Sequence, residues 1–354
     1  MSADSSRRSD LVAAPAAAPA AAPEPAPEPA AGDAPVPAGV LATGIRPRRR
    51  AGARRIGVAL GSGSARGLAH IGALRAIVEA GVEVDVVAGT SMGAFVGAIF
   101  AAGKLDRLEA GFRGFDWGSI ASLLDPVFPR SGLIDGHKIG DFMRAQVPVT
   151  KVEDLPIPFR AIATDLANGE EVAIGSGDLI EAVRASIAVP GIFTPVRSQG
   201  RVLVDGGLVN PVPVSAARAL GADLVIAVDL NHDIVQERSS RAAQDASPGA
   251  LAQAVTQMLE NFESIEGPAL TQFREWLQRE PLPGIFDVLL SAIYIMQARI
   301  TQATMAQDRP EIVIQPALGA VRFMAFDRAD EIVEAGYRAA RQALDEASTL
   351  LYPA

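Results

Sequence analysis

Short apolar runs alternate with segments of helical spacing along most of the chain from residue 55 onward. Apolar runs of this length, bounded by glycine or polar residues, are typical of buried strands. We predict strands that begin near Ile56, Val84, Phe159, Arg201, Leu224 and Glu311. Because strands and helices alternate, the pattern predicts an α/β domain with three layers (α/β/α) and a mostly parallel central sheet.

A longer, mostly helical region is predicted from about residue 247 to 308. Five apolar residues recur in it at helical spacing: Ile285, Leu289, Ile293, Met296 and Ile300. Such a stripe is more typical of a core or a subunit interface, and contact with a membrane surface is the alternative. No run in the sequence reaches the roughly 20 apolar residues that a membrane-spanning helix needs.

The first 54 residues differ in composition from the rest of the chain. Residues 13–38 are almost entirely Ala and Pro, which predicts a disordered tail because nothing large is available to bury. The recurring prolines also argue against an export signal, so we expect a cytoplasmic protein. The arginine cluster over 46–55 indicates a solvated linker, with attraction to anionic lipid, and so a peripheral place at the membrane, as the alternative.

Charge and residue usage exclude several classes of function. The net charge of -9 over 354 residues argues against nucleic acid as a partner. The absence of cysteine rules out a thiolate nucleophile, a disulfide framework and a cysteine-based zinc site. The three histidines are His70, His137 and His232, and none has the spacing of a metal ligand, so no metal site is predicted.

The segment 89–93 reads Gly-Thr-Ser-Met-Gly and lies between an apolar run and a stretch of small and apolar residues. Strand, sharp turn and helix in this order form a nucleophile elbow, which exposes the serine hydroxyl at the tip of the turn. Gly89 and Gly93 fit this interpretation, because neighbouring backbone leaves no space for side chains there. Ser91 is therefore the candidate nucleophile, and an ordinary Gly-Ser turn is the alternative.

A glycine-rich loop over 61–67 follows the first predicted strand and precedes a helix. The dinucleotide-binding pattern fails because Arg66 stands at its third glycine position, and the phosphate-loop pattern fails because Leu68 follows Gly67 where lysine is required. The loop is better interpreted as an oxyanion hole, whose amides stabilise the negative charge of a tetrahedral intermediate by roughly 3 kcal/mol per donor.

A serine nucleophile needs a base. His232 at a predicted strand end and His137 in a polar stretch fit this role weakly. Asp205 at the end of another predicted strand fits better, since Gly206 and Gly207 allow close approach and shielding from water raises the basicity of a carboxylate. The alternative is that Asp205 and Gly206 form a hairpin turn.

Taken together, these elements resemble the patatin-like phospholipases, in particular their compact bacterial branch. The resemblance also covers the stretches 161–166, 183–191 and 326–329, and so nearly all of residues 56–345. It implies a patatin-like catalytic domain over 55–218 and a C-terminal part of the same fold over 219–354 with a helical insertion at about 247–308. It further implies Ser91 as nucleophile, Asp205 as general base, and an oxyanion loop of Gly63, Ser64, Ala65 and Arg66. The supporting motif glycines are Gly61, Gly67, Gly89, Gly93, Gly206 and Gly207.

The resemblance implies a lipid ester as substrate and an acyl-enzyme mechanism without metal or cofactor. One residue departs from the pattern: Ser64 stands where the family usually has glycine, and a positive φ there would cost about 1 kcal/mol. An alternative is therefore a weakly active or inactive regulatory or scaffold protein that binds lipid or a protein partner on the same fold. Head group, acyl length and oligomeric state do not follow from the sequence.

Overall fold

The computed structural model describes residues 54–112, 117–126, 132–234 and 285–352. The predicted tail over 1–54, apart from its last residue, lies outside the described residues, as does the predicted insertion before residue 285.

Eight strands form one sheet in the described part of the chain. They are β1 (Ile56–Leu60), β2 (Val86–Thr90), β3 (Phe159–Asp165), β4 (Glu171–Ile174), β5 (Val196–Ser198), β6 (Arg201–Asp205), β7 (Leu224–Val228) and β8 (Ile312–Ile314). The order is β5-β6-β3-β2-β1-β7-β8, and β4 pairs with β3. All six predicted strands are present, whereas the short strands β4 and β5 were not predicted.

The sheet is mostly parallel, as predicted. β1 pairs in parallel with β2 and β7, and β2–β3 and β7–β8 are parallel too. The pairs β3–β4, β3–β6 and β5–β6 are antiparallel. β5 and β6 are joined by Gln199 and Gly200, both with positive φ (48° and 78°), as a two-residue hairpin turn requires.

The antiparallel β6 changes how Asp205 reaches the site. Asp205 lies at the carboxyl end of β6, but this strand is not parallel to its neighbour β3. β6 runs against β3, with Asp205 opposite Ala163, while Thr90 at the end of β2 is opposite Ile162 on the same strand. The ends of β2 and β6 therefore lie on the two sides of β3, one residue apart in register.

Ten helices pack around this sheet within the described ranges. They are α1 (Ala69–Glu79), α2 (Met92–Ala101), α3 (Leu105–Phe112), α4 (Trp117–Ser122), α5 (His137–Gln146), α6 (Leu179–Ser186), α7 (Val214–Ala219), α8 (Ile285–Asp308), α9 (Ala329–Glu346) and α10 (Ser348–Leu351). Short 3₁₀ turns at 64–68 and 206–208 follow β1 and β6. The second turn shows that Asp205 and Gly206 do not form the alternative hairpin.

Alternate residues of the central strands enter two different cores. Val58, Val87 and Ile226 belong to the larger core, which α1, α2 and α9 cover. Ala59 and Ala88 point to the opposite face and pack in a smaller core with residues of α7. Because successive side chains of a strand point to opposite faces, this division confirms three layers with helices on both sides of the sheet.

The apolar stripe predicted on α8 is divided between core and surface. Ile293 is buried, in line with the interpretation as core, whereas Met296 is 47% exposed. Val288 and Ile295 are exposed as well. No helix of the described ranges has both the length and the apolar character needed to cross a membrane. Contact of the exposed face with a lipid surface stays the alternative interpretation.

Two glycines allow α1 and α9 to pack with their backbones close together. A Cβ atom added at Gly336 would lie 2.0 Å from the carbonyl oxygen of Ala69, and one added at Gly72 would lie 1.9 Å from the carbonyl oxygen of Val333. Such distances are too short for any side chain, so the two helices approach as closely as they do only because both positions are glycine.

Gly336→Ala is therefore expected to lower the free energy of unfolding by about 1–3 kcal/mol, since the added methyl group forces the helices apart. At an ordinary helix position the same change is stabilising by about 0.5–1 kcal/mol, so the sign of the effect is informative. Urea denaturation followed by circular dichroism measures it.

Asp345→Ala on the exposed part of α9 is the control and is expected to change stability by no more than about 0.5 kcal/mol. An unchanged or increased stability of Gly336→Ala would contradict the close backbone contact.

Candidate active site

Ser91 lies at a sharp turn between β2 and α2. Its backbone angles are φ 57° and ψ -124°, a strained conformation for a residue other than glycine, and the residue is 6% exposed. A Cβ added at Gly89 would lie 2.3 Å from the carbonyl oxygen of Gly93, and one added at Gly93 would lie 2.1 Å from that of Leu60. Both motif glycines therefore have the steric role predicted for a nucleophile elbow.

A buried serine that sequence reasoning missed supports this turn. The amide of Ser91 donates to Oγ of Ser186 at 2.9 Å, and that hydroxyl donates to the carbonyl oxygen of Ile162 at 2.5 Å. Ser186 thus ties the strained turn to β3. It lies within the segment 183–191 that carries part of the resemblance, but nothing in its local pattern indicates a role, because the contact spans 95 residues.

Asp205 lies beside Ser91 and is almost completely buried, with 2% of its surface exposed. Its Oδ1 accepts the amide of Gly207 at 2.7 Å, and its backbone carbonyl accepts the hydroxyl of Thr164 at 2.8 Å. Its Oδ2 has no hydrogen bond of standard geometry within the described ranges. Burial raises the pKa of Asp205 to about 6, and the nearby Ser91 hydroxyl and the Gly207 amide oppose this rise. The carboxylate is therefore a stronger base than an exposed aspartate.

The glycine-rich loop leaves two amides free at the site. The amide of Ala65 donates to Phe323 and that of Arg66 to Gly63, so these two of the four predicted oxyanion donors are already used. The amides of Gly63 and Ser64 donate to no acceptor in the described part of the chain. Both residues line the same cavity as Ser91 and Asp205.

Ser64 has the positive φ that the sequence analysis considered, at 50°. A residue with a side chain is strained there by about 1 kcal/mol. Its hydroxyl donates to the carbonyl oxygen of Phe323 at 2.7 Å, a contact that glycine cannot make and that offsets part of the strain.

The three histidines lie outside the Ser91–Asp205 pair. His70 is fully buried behind the loop, where its Nε2 contacts the carbonyl oxygen of Gly61 at 2.7 Å and burial lowers its pKa to about 4. The imidazole is therefore neutral and donates a hydrogen bond that holds the loop. The side chain of His137 is 83% exposed beside Asp135, and His232 lies next to Asp233; neither lines the cavity.

Apolar side chains form most of the cavity wall above the pair. The cavity measures about 980 Å³ including its open mouth. Around Ser91 and Asp205 the polar lining comes from Ser62, Ser64 and Gln297, and the apolar lining includes Phe95, Ile139, Phe142, Leu290, Phe323 and Met324. Such a wall suits an apolar chain whose reactive group reaches the polar end. The described residues contain no group of three acidic or histidine side chains arranged to hold a metal ion.

Comparisons with known proteins find relatives of this chain. Residues 58–218 match the family model described as patatin-like phospholipase. An uncharacterised NTE family protein of Mycobacterium tuberculosis is 33% identical over 334 residues, which cover 82% of this chain and 91% of that protein.

Two eukaryotic relatives are much longer than this chain. A lysophospholipase of Coccidioides immitis is 28% identical, over 85% of this chain and 18% of its own length. The patatin-like phospholipase domain-containing protein 7 of Mus musculus is 31% identical, over 82% of this chain and 20% of its own length. The crystal structure of VipD from Legionella pneumophila aligns with 83% of this chain and 67% of its own, at 15% identity and a TM-score of 0.40.

Asp205→Asn is expected to stabilise the protein at pH 8 and to have little effect near pH 4. The pKa of Asp205 rises from an ordinary value of 3.8 to about 6 in the folded protein. The protonated carboxyl group of Asp205 therefore makes its full contribution to the free energy of unfolding below pH 3.8. This contribution is lost as the pH rises through about 6. Two pKa units correspond to about 3 kcal/mol, which is the upper limit of the gain.

Urea denaturation at pH 8, 6 and 4 measures this effect. The exposed Asp345→Asn is the control, at which we expect a change of no more than about 0.5 kcal/mol. A destabilisation by Asp205→Asn at pH 8 would contradict the claim that the buried, charged carboxylate lowers the stability of the protein at this pH.

Proposed function

This chain belongs to the patatin-like phospholipase family, a family of lipid hydrolases, and from that membership we propose that it is a serine acyl hydrolase with Ser91 and Asp205 as its catalytic dyad. The observation that carries the proposal is the buried Asp205 carboxylate, with a pKa of about 6, beside the hydroxyl of Ser91 at the elbow. A serine and a base in contact, beneath an apolar cavity, are suited to the hydrolysis of a lipid ester.

In the first step the Oγ of Ser91 attacks the ester carbonyl carbon while Asp205 takes the hydroxyl proton. The tetrahedral intermediate carries a negative oxygen, which the free amides of Gly63 and Ser64 stabilise. The intermediate then collapses: the bond from carbon to the alcohol oxygen breaks, and the proton on Asp205 passes to that oxygen. The alcohol leaves, and the acyl group remains on Ser91.

The second step repeats this chemistry with water in place of Ser91. Asp205 takes a proton from water as the water oxygen attacks the acyl carbon. The intermediate releases Oγ of Ser91, which regains a proton from Asp205, and a fatty acid leaves. In both steps Asp205 first takes a proton and then returns it, so it ends the cycle as the carboxylate.

The substrate class follows from the shape and polarity of the cavity. The apolar wall formed by residues such as Phe95, Phe142 and Leu290 can bury an acyl chain, while the polar end holds the ester. We therefore propose a lipid with a fatty acyl chain as substrate, of the phospholipid, lysophospholipid or related ester type.

A binding protein with weak activity is the second candidate. The strained Ser64 in the loop favours it, because backbone strain at an oxyanion donor turns the amide N–H away from the position of the oxyanion. The retained pair of Ser91 and Asp205 opposes it, since lipid binding alone does not require a serine beside a buried base.

Ser91→Ala and Asp205→Asn are each expected to lower hydrolysis of a short p-nitrophenyl ester by at least about 1000-fold, because each removes one half of the dyad. In the unmodified protein kcat/KM should fall about tenfold per pH unit below a pKa of about 6, where Asp205 becomes protonated. A fluorophosphonate probe should label the unmodified protein but not Ser91→Ala.

Two results would decide against this assignment. Wild-type rates in Asp205→Asn together with an inactive His232→Ala would exclude the dyad. A folded, unmodified protein that the probe does not label would favour the binding protein.

Acyl chain length should control the rate. We expect kcat/KM for p-nitrophenyl esters to increase by about threefold to fourfold per added CH₂ until the cavity is filled, since burying one CH₂ contributes about 0.8 kcal/mol. Met324→Glu, which places a charge in the cavity wall, should abolish this increase while hydrolysis of a two-carbon ester remains.

Met324→Leu is the matched control and should retain the dependence on chain length. Equal rates for short and long esters in the unmodified protein would rule out the cavity as the acyl site.

A further inference from the structure

A chain of buried hydrogen bonds connects the glycine-rich loop to α8. The guanidinium of Arg66 donates from one terminal nitrogen to the carbonyl of Val321 at 2.9 Å and from the other to Oδ1 of Asn231 at 3.4 Å. Nδ2 of Asn231 donates in turn to Oε1 of Gln297 at 3.2 Å, and Oγ of Ser62 donates to the same oxygen at 3.0 Å. The chain thus ends at a side chain of α8 that lines the cavity.

The direction of these bonds is determined by groups that have only one role. Arginine only donates, so Asn231 must present its oxygen to Arg66. The backbone carbonyl of Ser62 only accepts, and it receives Nδ2 of Asn231 at 3.2 Å, which requires the same orientation. Gln297 must therefore offer its oxygen to Asn231, and its Nε2 amide is forced to the other side.

The Nε2 amide of Gln297 lies next to the proposed base. A Cβ added at Gly207 would be 2.3 Å from Nε2 of Gln297 and 2.9 Å from Oδ1 of Asp205, so both groups border the same small space. Gln297 is only 5% exposed, and its Nε2 donates to no acceptor in the described ranges. Because Gln297 lines the cavity, an acceptor on a bound ligand can receive this hydrogen bond.

The position beside Asp205 indicates which part of a substrate is near. In the proposed mechanism Asp205 gives its proton to the oxygen of the leaving alcohol, so the alcohol side of the ester must lie against Asp205. The oxyanion belongs to the free amides of the loop instead. A donor next to Asp205 is therefore placed for an acceptor on the alcohol side.

We infer that Gln297 is a specificity-determining residue whose Nε2 amide donates to an acceptor oxygen on the alcohol part of the substrate, as in an acylated glycerol or glycerophosphate. This inference rests on the proposed function for its assignment of the leaving side. It makes the enzyme selective for esters of oxygen-rich alcohols over esters of the same acid with an apolar alcohol. Neutral Gln297 achieves this without a charge that would further raise or lower the basicity of Asp205.

Two variants of the full chain separate this role from support of the loop. Gln297→Met removes both the donor and the acceptor of the amide. Gln297→Glu keeps an oxygen for Ser62 and Asn231 but replaces the donor by another oxygen. Thr301→Val is the matched control, because Thr301 is equally buried one turn further along α8 but does not line the cavity.

The substrates are lauroyl lysophosphatidylcholine, monolauroylglycerol and p-nitrophenyl laurate in the same mixed detergent micelles. The p-nitrophenyl group has no acceptor oxygen near the ester. We expect both Gln297 variants to lose about tenfold in kcat/KM for the glycerol-based lipids relative to p-nitrophenyl laurate, since one lost hydrogen bond to substrate has about this effect. A loss with both glycerol lipids identifies a glycerol oxygen as the acceptor, and a loss with the lysophospholipid alone identifies a phosphate oxygen.

Equal losses with all three substrates would overturn the inference, because they indicate support of the loop alone. Unchanged ratios, or ratios that Gln297→Glu restores to the wild-type value, would overturn it as well. Thr301→Val should retain the wild-type ratios. If Gln297→Met does not fold, Gln297→Glu provides the same comparison.

A binding measurement tests the inference even if the proposed reaction is wrong. The ligand is an ether-linked dodecyl lysophosphatidylcholine, which cannot be hydrolysed, and titration calorimetry on the Ser91→Ala background gives its Kd below the micelle concentration. Adding Gln297→Met is expected to weaken binding about tenfold, and adding Thr301→Val is expected to leave it unchanged. Unchanged binding with Gln297→Met would overturn the inference. A result showing that Ser91 and Asp205 are not the catalytic dyad would by itself leave this binding role of Gln297 in place.

Discussion

Asp205 is a carboxylate buried almost completely beside a serine hydroxyl. Holding it there requires hydrogen bonds from several elements of the fold. Asp205 receives a hydrogen bond to Oδ1 from Gly207, and its backbone is held by Thr164 of β3. The hydrogen bonds from the Ser91 hydroxyl and the Gly207 amide only partly oppose the effect of burial, so the pKa of Asp205 rises to about 6. Ser91, the other residue of the proposed dyad, is held next to this group by contacts of its own.

The same demand explains the strained backbone around it. Ser91 at φ 57° and Ser64 at φ 50° both have conformations that a side chain disfavours. Each is held by a distant partner: the amide of Ser91 by Ser186, and the hydroxyl of Ser64 by the carbonyl of Phe323. Local strain at a site persists only where such surrounding contacts determine the geometry.

Much of the fold was predictable because it depends on local patterns. The apolar runs that start near Ile56, Phe159 and Leu224 form strands, and alternating elements are packed in three layers. The four-residue β4 and three-residue β5 were missed, because strands this short and half exposed lack a clear apolar pattern. The support that Ser186 gives to the turn and the role proposed for Gln297 both depend on contacts across the chain, so neither had a local signal.

The sequence by itself determined the elbow around Ser91, the glycine-rich loop and the candidate base Asp205. Each is marked by glycines in a short motif, and few local backbone conformations require glycine at those positions. The tertiary structure alone decided that β6 is antiparallel to β3 and ends level with Ala163, across β3 from the end of β2. It also decided which loop amides stay free and where the amide of Gln297 points, because hydrogen bonds between residues 66 and 231 or 62 and 297 form only after the chain is folded. Strand direction and long-range partners are set by packing, and packing depends on residues that are far apart in the sequence.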